Sequence, residues 1–226
     1  MNKKKCRAVF LLLSTINLFF LLLASQSEAE GQSPEQRLSF GNSNNLSTLI
    51  RRGLRKEALT RGYTSGAGGM AISKSLSVNT FDCKLRRVRN FDSVKIKDTV
   101  LLANPGEPEL PAKITVYTFP KNVQILSVEA VGGTYVPILN KLRIAPAPQP
   151  IRREVIPQPK GGLIPDRTIY SSESYFPGKI FTYETGKDSK NTYLYLRFYP
   201  VQYIPKTGEA FLITNVSFHI YYEEVK

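Results

Sequence analysis

Tryptophan is absent from these 226 residues, histidine occurs once and cysteine twice. Each scarcity removes a class of chemistry. A single histidine, His219, and at most two thiols cannot build the usual zinc sphere of three or four His/Cys ligands. A nucleophile needs a base within hydrogen-bond reach and a third group to orient that base. Cys83 and His219 are the one Cys–His combination to weigh, and the sequence suggests no third partner for them. Carboxylates are the scarcer charge, 18 against 31 Lys and Arg, and none forms a suggestive pair. Glycine-rich phosphate loops are missing too: "GAGG" at 66–69 has the glycines without a preceding strand or a following helix. These residues give no catalytic site, no metal site and no cofactor site.

Long apolar runs are confined to the start of the chain. Lys3, Lys4, Lys5 and Arg7 precede an apolar stretch from Ala8 to Ala24, broken by Ser14, Thr15 and Asn17. Ser27-Glu28-Ala29 then places small residues where a signal peptidase reads them. The pattern is that of a signal peptide, residues 1–29, and it predicts a secreted, extracellular or periplasmic protein that meets the membrane only through this segment before cleavage. Cys6 leaves with it, so the exported chain carries Cys83 alone, has no internal disulfide and must hold together by packing. A lone buried thiol is the expectation for Cys83. The net charge of +13 falls to about +10 once the signal segment takes four cations and one anion. Such a balance favours acidic surfaces in general. No aromatic-plus-basic nucleic-acid motif accompanies it, so no nucleic-acid partner is expected.

Residues 30–73 read as a polar and basic extension. The first part, 30–45, is rich in Gly, Asn and Ser and predicts an unstructured segment. "LSTLIRRGLRKEALTRGY", 46–63, spaces Leu46, Leu49, Ile50, Leu54, Ala58 and Leu59 as one helical face, with Ser47 as N-cap and Gly53 weakening it. This helix either docks on a partner or packs on its own domain. "GYTSGAGG" follows as a flexible linker.

From Lys74 to Lys226 the texture is that of strands. "KITVYTF" places Ile114, Val116 and Thr118 on one face, and the stiff "GEPELP" before it predicts that Ile114 and Val116 point inward and that Glu107 and Glu109 are solvated. "TYLYLRFY" sets Leu194, Leu196 and Phe198 opposite Tyr193, Tyr195, Arg197 and Tyr199. "FLITNVSFHIYYE" sets Leu212, Val216, Phe218, Ile220 and Tyr222 opposite Asn215, Ser217, His219 and Tyr221. Period-two alternation with one apolar face marks an antiparallel sheet covered on one side. With shorter strands at 85–88, 94–96, 123–128, 135–139, 142–144 and 180–183, separated by turns such as Gly132-Gly133, the fold class is all-β, an antiparallel two-sheet β-sandwich after a short helical extension. "IAPAPQPIRREVIPQPKGGLIPDR", 144–167, interrupts it with six prolines that cannot donate to a ladder. So long an excursion in a compact domain is disordered or a functional loop.

Four landmarks in order carry a resemblance: "GEPELP" at 106–111, "LRIAP" at 142–146, "YFPG" at 175–178, and the closing "LRFYPVQYIPKTGEAFLITNVSFHIYYE". From about Cys83 to Glu224 the chain resembles the gingipain-type propeptide, the N-terminal prodomain of C25 family cysteine peptidases. The resemblance implies a β-sandwich that assists folding of the peptidase and keeps it latent during export. It also implies a loop laid across the active-site cleft. In peptidases that cut after Arg or Lys, a basic residue of that loop resembles a substrate side chain; by position after "IAP" it is Arg153, with Arg152 beside it. The implied partner is a C25-type catalytic domain, in cis or in trans. Family prodomains precede a caspase-like domain, whereas this sequence stops at Lys226, so it reads as the front of a longer precursor or as a stand-alone relative. The alternative to an inhibitory prodomain is a secreted or cell-surface sandwich that serves as an interaction module, motivated by its basic charge and by Tyr193, Tyr195, Tyr199 and Tyr221.

Overall fold

The computed structural model describes residues 35–55, 69–150 and 162–225. Two strands of 16 residues form its spine: β8 (Val123–Ile138) and the closing β12 (Glu209–Glu224), antiparallel along their whole length. On the other edge of β12, β11 (Val201–Ile204) pairs first and β3 (Met70–Ser77) next. The short β2 (Asn44–Asn45) extends the sheet beyond β8. A second sheet runs in the order β6 (Val100–Leu102), β7 (Leu110–Pro120), β10 (Asn191–Phe198) and β9 (Phe181–Lys187). A smaller third sheet joins β1 (Gln36–Arg37), β4 (Cys83–Val88) and β5 (Phe91–Ile96). Every pairing between strands is antiparallel. The fold is an all-β sandwich. Two short helices, α1 (Ser47–Arg51) and α2 (Arg167–Tyr170), are its helical elements among the described residues, besides a 3₁₀ turn at Thr80–Asp82.

Alternation places the core. Val216, Phe218 and Ile220 of β12 are buried and face Leu194, Leu196 and Phe198 of β10, also buried. Phe218 meets Phe181 edge-on with ring centroids 5.0 Å apart and Phe198 at 6.3 Å, and Phe119 meets Tyr222 at 5.7 Å. Aromatic pairs of this geometry add to the burial of their area.

Three expectations need correction. Gly132-Gly133 is not a turn, because β8 passes straight through it. A Cβ on Gly133 would lie 2.3 Å from the Asn215 carbonyl oxygen, so glycine permits the close approach of β8 to β12 at a register shift. The faces of β7 are inverted: Ile114 and Val116 are 47% exposed, while Phe119 is buried and Tyr117 is packed on the core. Residues 35–45 are not without structure. Strands β1 and β2 lie there, Leu38 is buried, and Ser39 and Gly41 bond to Leu139 and Pro137 beside β8.

The next residues complete that strap. Leu46, Leu49 and Leu54 are buried in the same core cluster as the sheets. Helix α1 is only five residues long; the chain reverses at Arg52-Gly53, with Gly53 at φ +103°, and Arg55 then bonds to Gly178 and Ile180. All described residues belong to one compact unit, Glu35–Lys226. Among them no helix is long and apolar enough to cross a membrane.

Candidate functional site

The proline-rich excursion leaves and rejoins the sandwich at one place, the turn formed by "GEPE". Glu107 shapes that turn: its amide donates to the Asn104 carbonyl at 3.0 Å, and its carboxylate accepts the Asn104 amide at 2.9 Å. Gly106 sits at φ +86°, a region that only glycine enters without strain. The outgoing stem, Ile144–Ala147, lies along one side of the turn. Glu109 N–H donates to Ala145 O at 2.9 Å, Ala147 N–H to Glu107 O at 2.8 Å, and Gly106 N–H to Ala147 O at 2.9 Å. The returning stem lies on the other side, where Asp166 N–H donates to Gly106 O at 2.9 Å. One short turn thus holds both ends of the excursion.

A buried carboxylate secures the outgoing stem from below. Asp92 of β5 exchanges backbone bonds with it, Asp92 N–H to Arg143 O at 2.7 Å and Ala145 N–H to Asp92 O at 2.8 Å. Its side chain, almost fully buried, accepts the Arg143 amide at 2.8 Å and the Arg87 guanidinium at 2.7 Å. A buried charge persists only when paired and hydrogen-bonded, and both conditions are met here. The Arg143 guanidinium lies over the Phe91 ring at 4.7 Å.

The returning stem leads directly into α2, where the Asp166 carboxylate caps the Thr168 and Ile169 amides at 2.8 and 3.1 Å. From this helix Tyr170 reaches back and donates its hydroxyl to Ile144 O at 2.7 Å, joining the two stems. Burial pushes the Tyr170 phenol well above its usual range, with Tyr203 adding to the shift. Burial also raises the Glu109 carboxyl. Glu107 and Glu109 are therefore half-buried parts of the root rather than solvated charges.

Arg152 and Arg153 lie outside the described residues. The structure separates the other residues singled out by sequence. Cys83 begins β4 in the small sheet, buried, its thiol donating to Asn79 O at 3.5 Å and pushed up to about 12 by burial and by Asp82. His219 stands on β12 in the five-stranded sheet, edge-on to Tyr221. Among the described residues no His, Cys, Asp and Glu group could hold a metal ion. Tyr193 and Tyr195 lie side by side on the outer face of β10 with their rings 6.2 Å apart and tilted by 35°, and the Tyr193 hydroxyl donates to Asp188 at 2.7 Å, whereas Tyr221 belongs to the other sheet. Sequence reasoning missed Asp92, Tyr170 and Asp166 as root residues. Only their closeness in the chain to "LRIAP" or to the prolines could have marked the last two.

The sandwich thus ties both stems of the proline-rich excursion to a single turn. The family model Propeptide_C25 matches residues 72–226. The chain belongs to this family, the propeptides of C25 peptidases. Its fold is similar to that of the complex of RgpB pro- and mature domains from Porphyromonas gingivalis, with a TM-score of 0.56 and 18% identity over 71% of this chain and 83% of that one. A structure bearing on the zymogenic latency of gingipain K from the same organism is similar with a TM-score of 0.56 and 17% identity, over 85% of this chain and 99% of that one. Curated proteins give no match.

Proposed function

We propose that this chain is a secreted, non-catalytic prodomain that assists folding of a C25-type cysteine peptidase and inhibits it by laying the basic proline-rich loop in its active-site cleft. The observation that carries the reading is the root: Gly106, Glu107 and Glu109 on one side and Asp92 on the other hold the outgoing stem, and Gly106 also holds the returning one. A loop fixed at both ends and stiffened by prolines loses less freedom on binding, which favours a tight complex. Within it Arg153, with Arg152 beside it, offers a guanidinium that a carboxylate in a specificity pocket can grip in bidentate fashion. The partner is the catalytic domain, reached in cis within a longer precursor or in trans. The signal segment at 1–29, outside the described residues, directs export, so that latency lasts through secretion.

The test is a titration of the purified chain against an Arg-specific C25 peptidase. Inhibition at micromolar protein or below is expected, and Arg153→Ala weakens it at least about tenfold, the loss of one charge-assisted contact of roughly 1.5–3 kcal/mol. No inhibition, or inhibition indifferent to Arg153→Ala, overturns the mechanism.

A further inference from the structure

Six of the twelve large apolar side chains that stand exposed among the described residues lie on three neighbouring strands of one sheet: Val100, Leu101 and Leu102 of β6, Ile114 and Val116 of β7, and Tyr195 of β10. Register explains part of the clustering. Val116 pairs with Tyr195 and Ile114 with Arg197, so these four share the outer face. Val100 and Leu102 pair with Ala112 and Leu110, which have the same phase on β7 but are buried, and Leu101, paired with Pro111, has the opposite phase. Among the described residues strand β6 is also the edge of its sheet. Exposed edges ordinarily carry charge or proline, and one written Val-Leu-Leu is a surface that needs a cover.

This face runs into a groove of about 650 Å³. Leu102, Leu110, Ile114, Phe176 and Pro177 give it apolar lining, Lys179 brings positive charge, and Arg197 lines it while paired with Glu184 at 2.9 Å. Asn104 and Glu107, the residues of the loop-holding turn, line the same groove. Apolar face, groove and loop root are thus one continuous surface.

We propose that the outer face of β6, β7 and β10 is the docking surface for the body of the C25 peptidase, which presents an apolar ridge flanked by carboxylates. The inference rests on the prodomain reading above and adds a second contact to it, independent of the loop. Continuity selects this occupant: whatever receives the loop beyond Ala147 lies next to Glu107, and hence against Leu102 and Ile114. The chemistry agrees, since an apolar centre with a cationic border is the anatomy of a specific interface.

The experiment separates the two contacts. A mature Arg-specific C25 peptidase is alkylated at its cysteine by an arginyl peptide chloromethyl ketone, which fills the cleft and keeps the loop out. Binding of the purified chain to this blocked enzyme is then measured by calorimetry. The wild-type chain is expected to bind still, unaffected by Arg153→Ala. Val116→Glu and Leu102→Glu, on different strands and each checked for an unchanged thermal midpoint, are expected to weaken binding at least about 30-fold, the scale of an interface hot spot. Loss of all binding to the blocked enzyme, or folded Glu variants that bind like wild type, overturns the proposal, even where the unblocked enzyme is inhibited through the loop. A dimer of the chain alone in sedimentation velocity, dissolved by Val116→Glu, also overturns it and assigns the face to a second copy. Failure of the loop mechanism reads out separately, as inhibition indifferent to Arg153→Ala.

Discussion

The carbonyl of Gly106 accepts the Asp166 amide at 2.9 Å while the Gly106 amide donates to Ala147 O, also at 2.9 Å, so one glycine ties down both stems of a loop whose stems are 19 positions apart in sequence. Its φ is +86°. A Cβ there would meet Ile164 O at 3.3 Å and Asp166 N at 3.4 Å. Gly106→Ala therefore combines backbone strain with crowding of the returning stem and is expected to cost about 1–3 kcal/mol. Urea unfolding measures the loss. If it arises at the root, protease cleavage within residues 148–165 speeds up and inhibition weakens; a cost without either effect places the strain elsewhere.

Asp92 tests the other half of the root. Asp92→Ala leaves the part-buried Arg143 amide without its acceptor, at about 1 kcal/mol. The lost pairing with Arg87 adds little, because that guanidinium is more than half exposed. Asp92→Asn retains an oxygen for the Arg143 amide and is expected to recover most of the stability. Equal unfolding midpoints for the Ala and Asn variants count against the Arg143 bond as the source of the effect.

Cys83 gives a pH dependence of known sign. Its folded pKa is raised to about 12, above its unfolded value near 8.5. The folded state thus keeps the proton that the unfolded chain releases, and this contribution is whole below pH ~8.5 and lost as pH rises toward 12, by up to about 1.4 kcal/mol per unit. Between pH 8.5 and 10 the wild-type chain is expected to lose stability faster than Cys83→Ala in urea unfolding. Parallel slopes disprove the assignment. The native thiol also reacts slowly with a disulfide reagent at pH 8, because almost none of it is thiolate.

Strands β10 and β12 were legible because alternation and burial agree in them: Leu194, Leu196 and Phe198 point inward as their spacing predicts, and so do Val216, Phe218 and Ile220. In β7 both faces carry apolar residues, and hydrophobicity alone selected Ile114 and Val116 over Thr115, Tyr117 and Phe119. Tertiary packing decided otherwise, since Phe119 meets Tyr222 across the sandwich. The excursion was legible from its prolines. Its root was not, because Asp92, Gly106 and Asp166 are separated by turns that no periodicity connects. Reversing the β7 residues checks this phase. Ile114→Lys is expected to change stability by less than about 1 kcal/mol and Phe119→Ala to cost roughly 3–5 kcal/mol. A larger loss for Ile114→Lys contradicts the observed faces.

The strap before the matched region is the final case. Leu49 is completely buried although it belongs to a helix of only five residues. So short a helix is not stable alone, and its order comes from packing. Leu46 explains where it packs: its amide donates to Gly133 O at 2.9 Å, and its side chain comes within 3.1 Å of the point where a Cβ on Gly133 would stand. The glycine that lets β8 approach β12 thus also seats the strap. Leu49→Ala is expected to cost about 2–5 kcal/mol, the range for a leucine removed from a closed core. Gly133→Ala drives a methyl into the Asn215 carbonyl and displaces Leu46, and is expected to cost a comparable amount. Because the two residues share the Leu46 contact, the double variant is expected to lose less than the sum of the two. Additive losses in urea unfolding show that strap and bulge are independent, whereas no loss from Leu49→Ala shows that the strap covers nothing the sandwich needs.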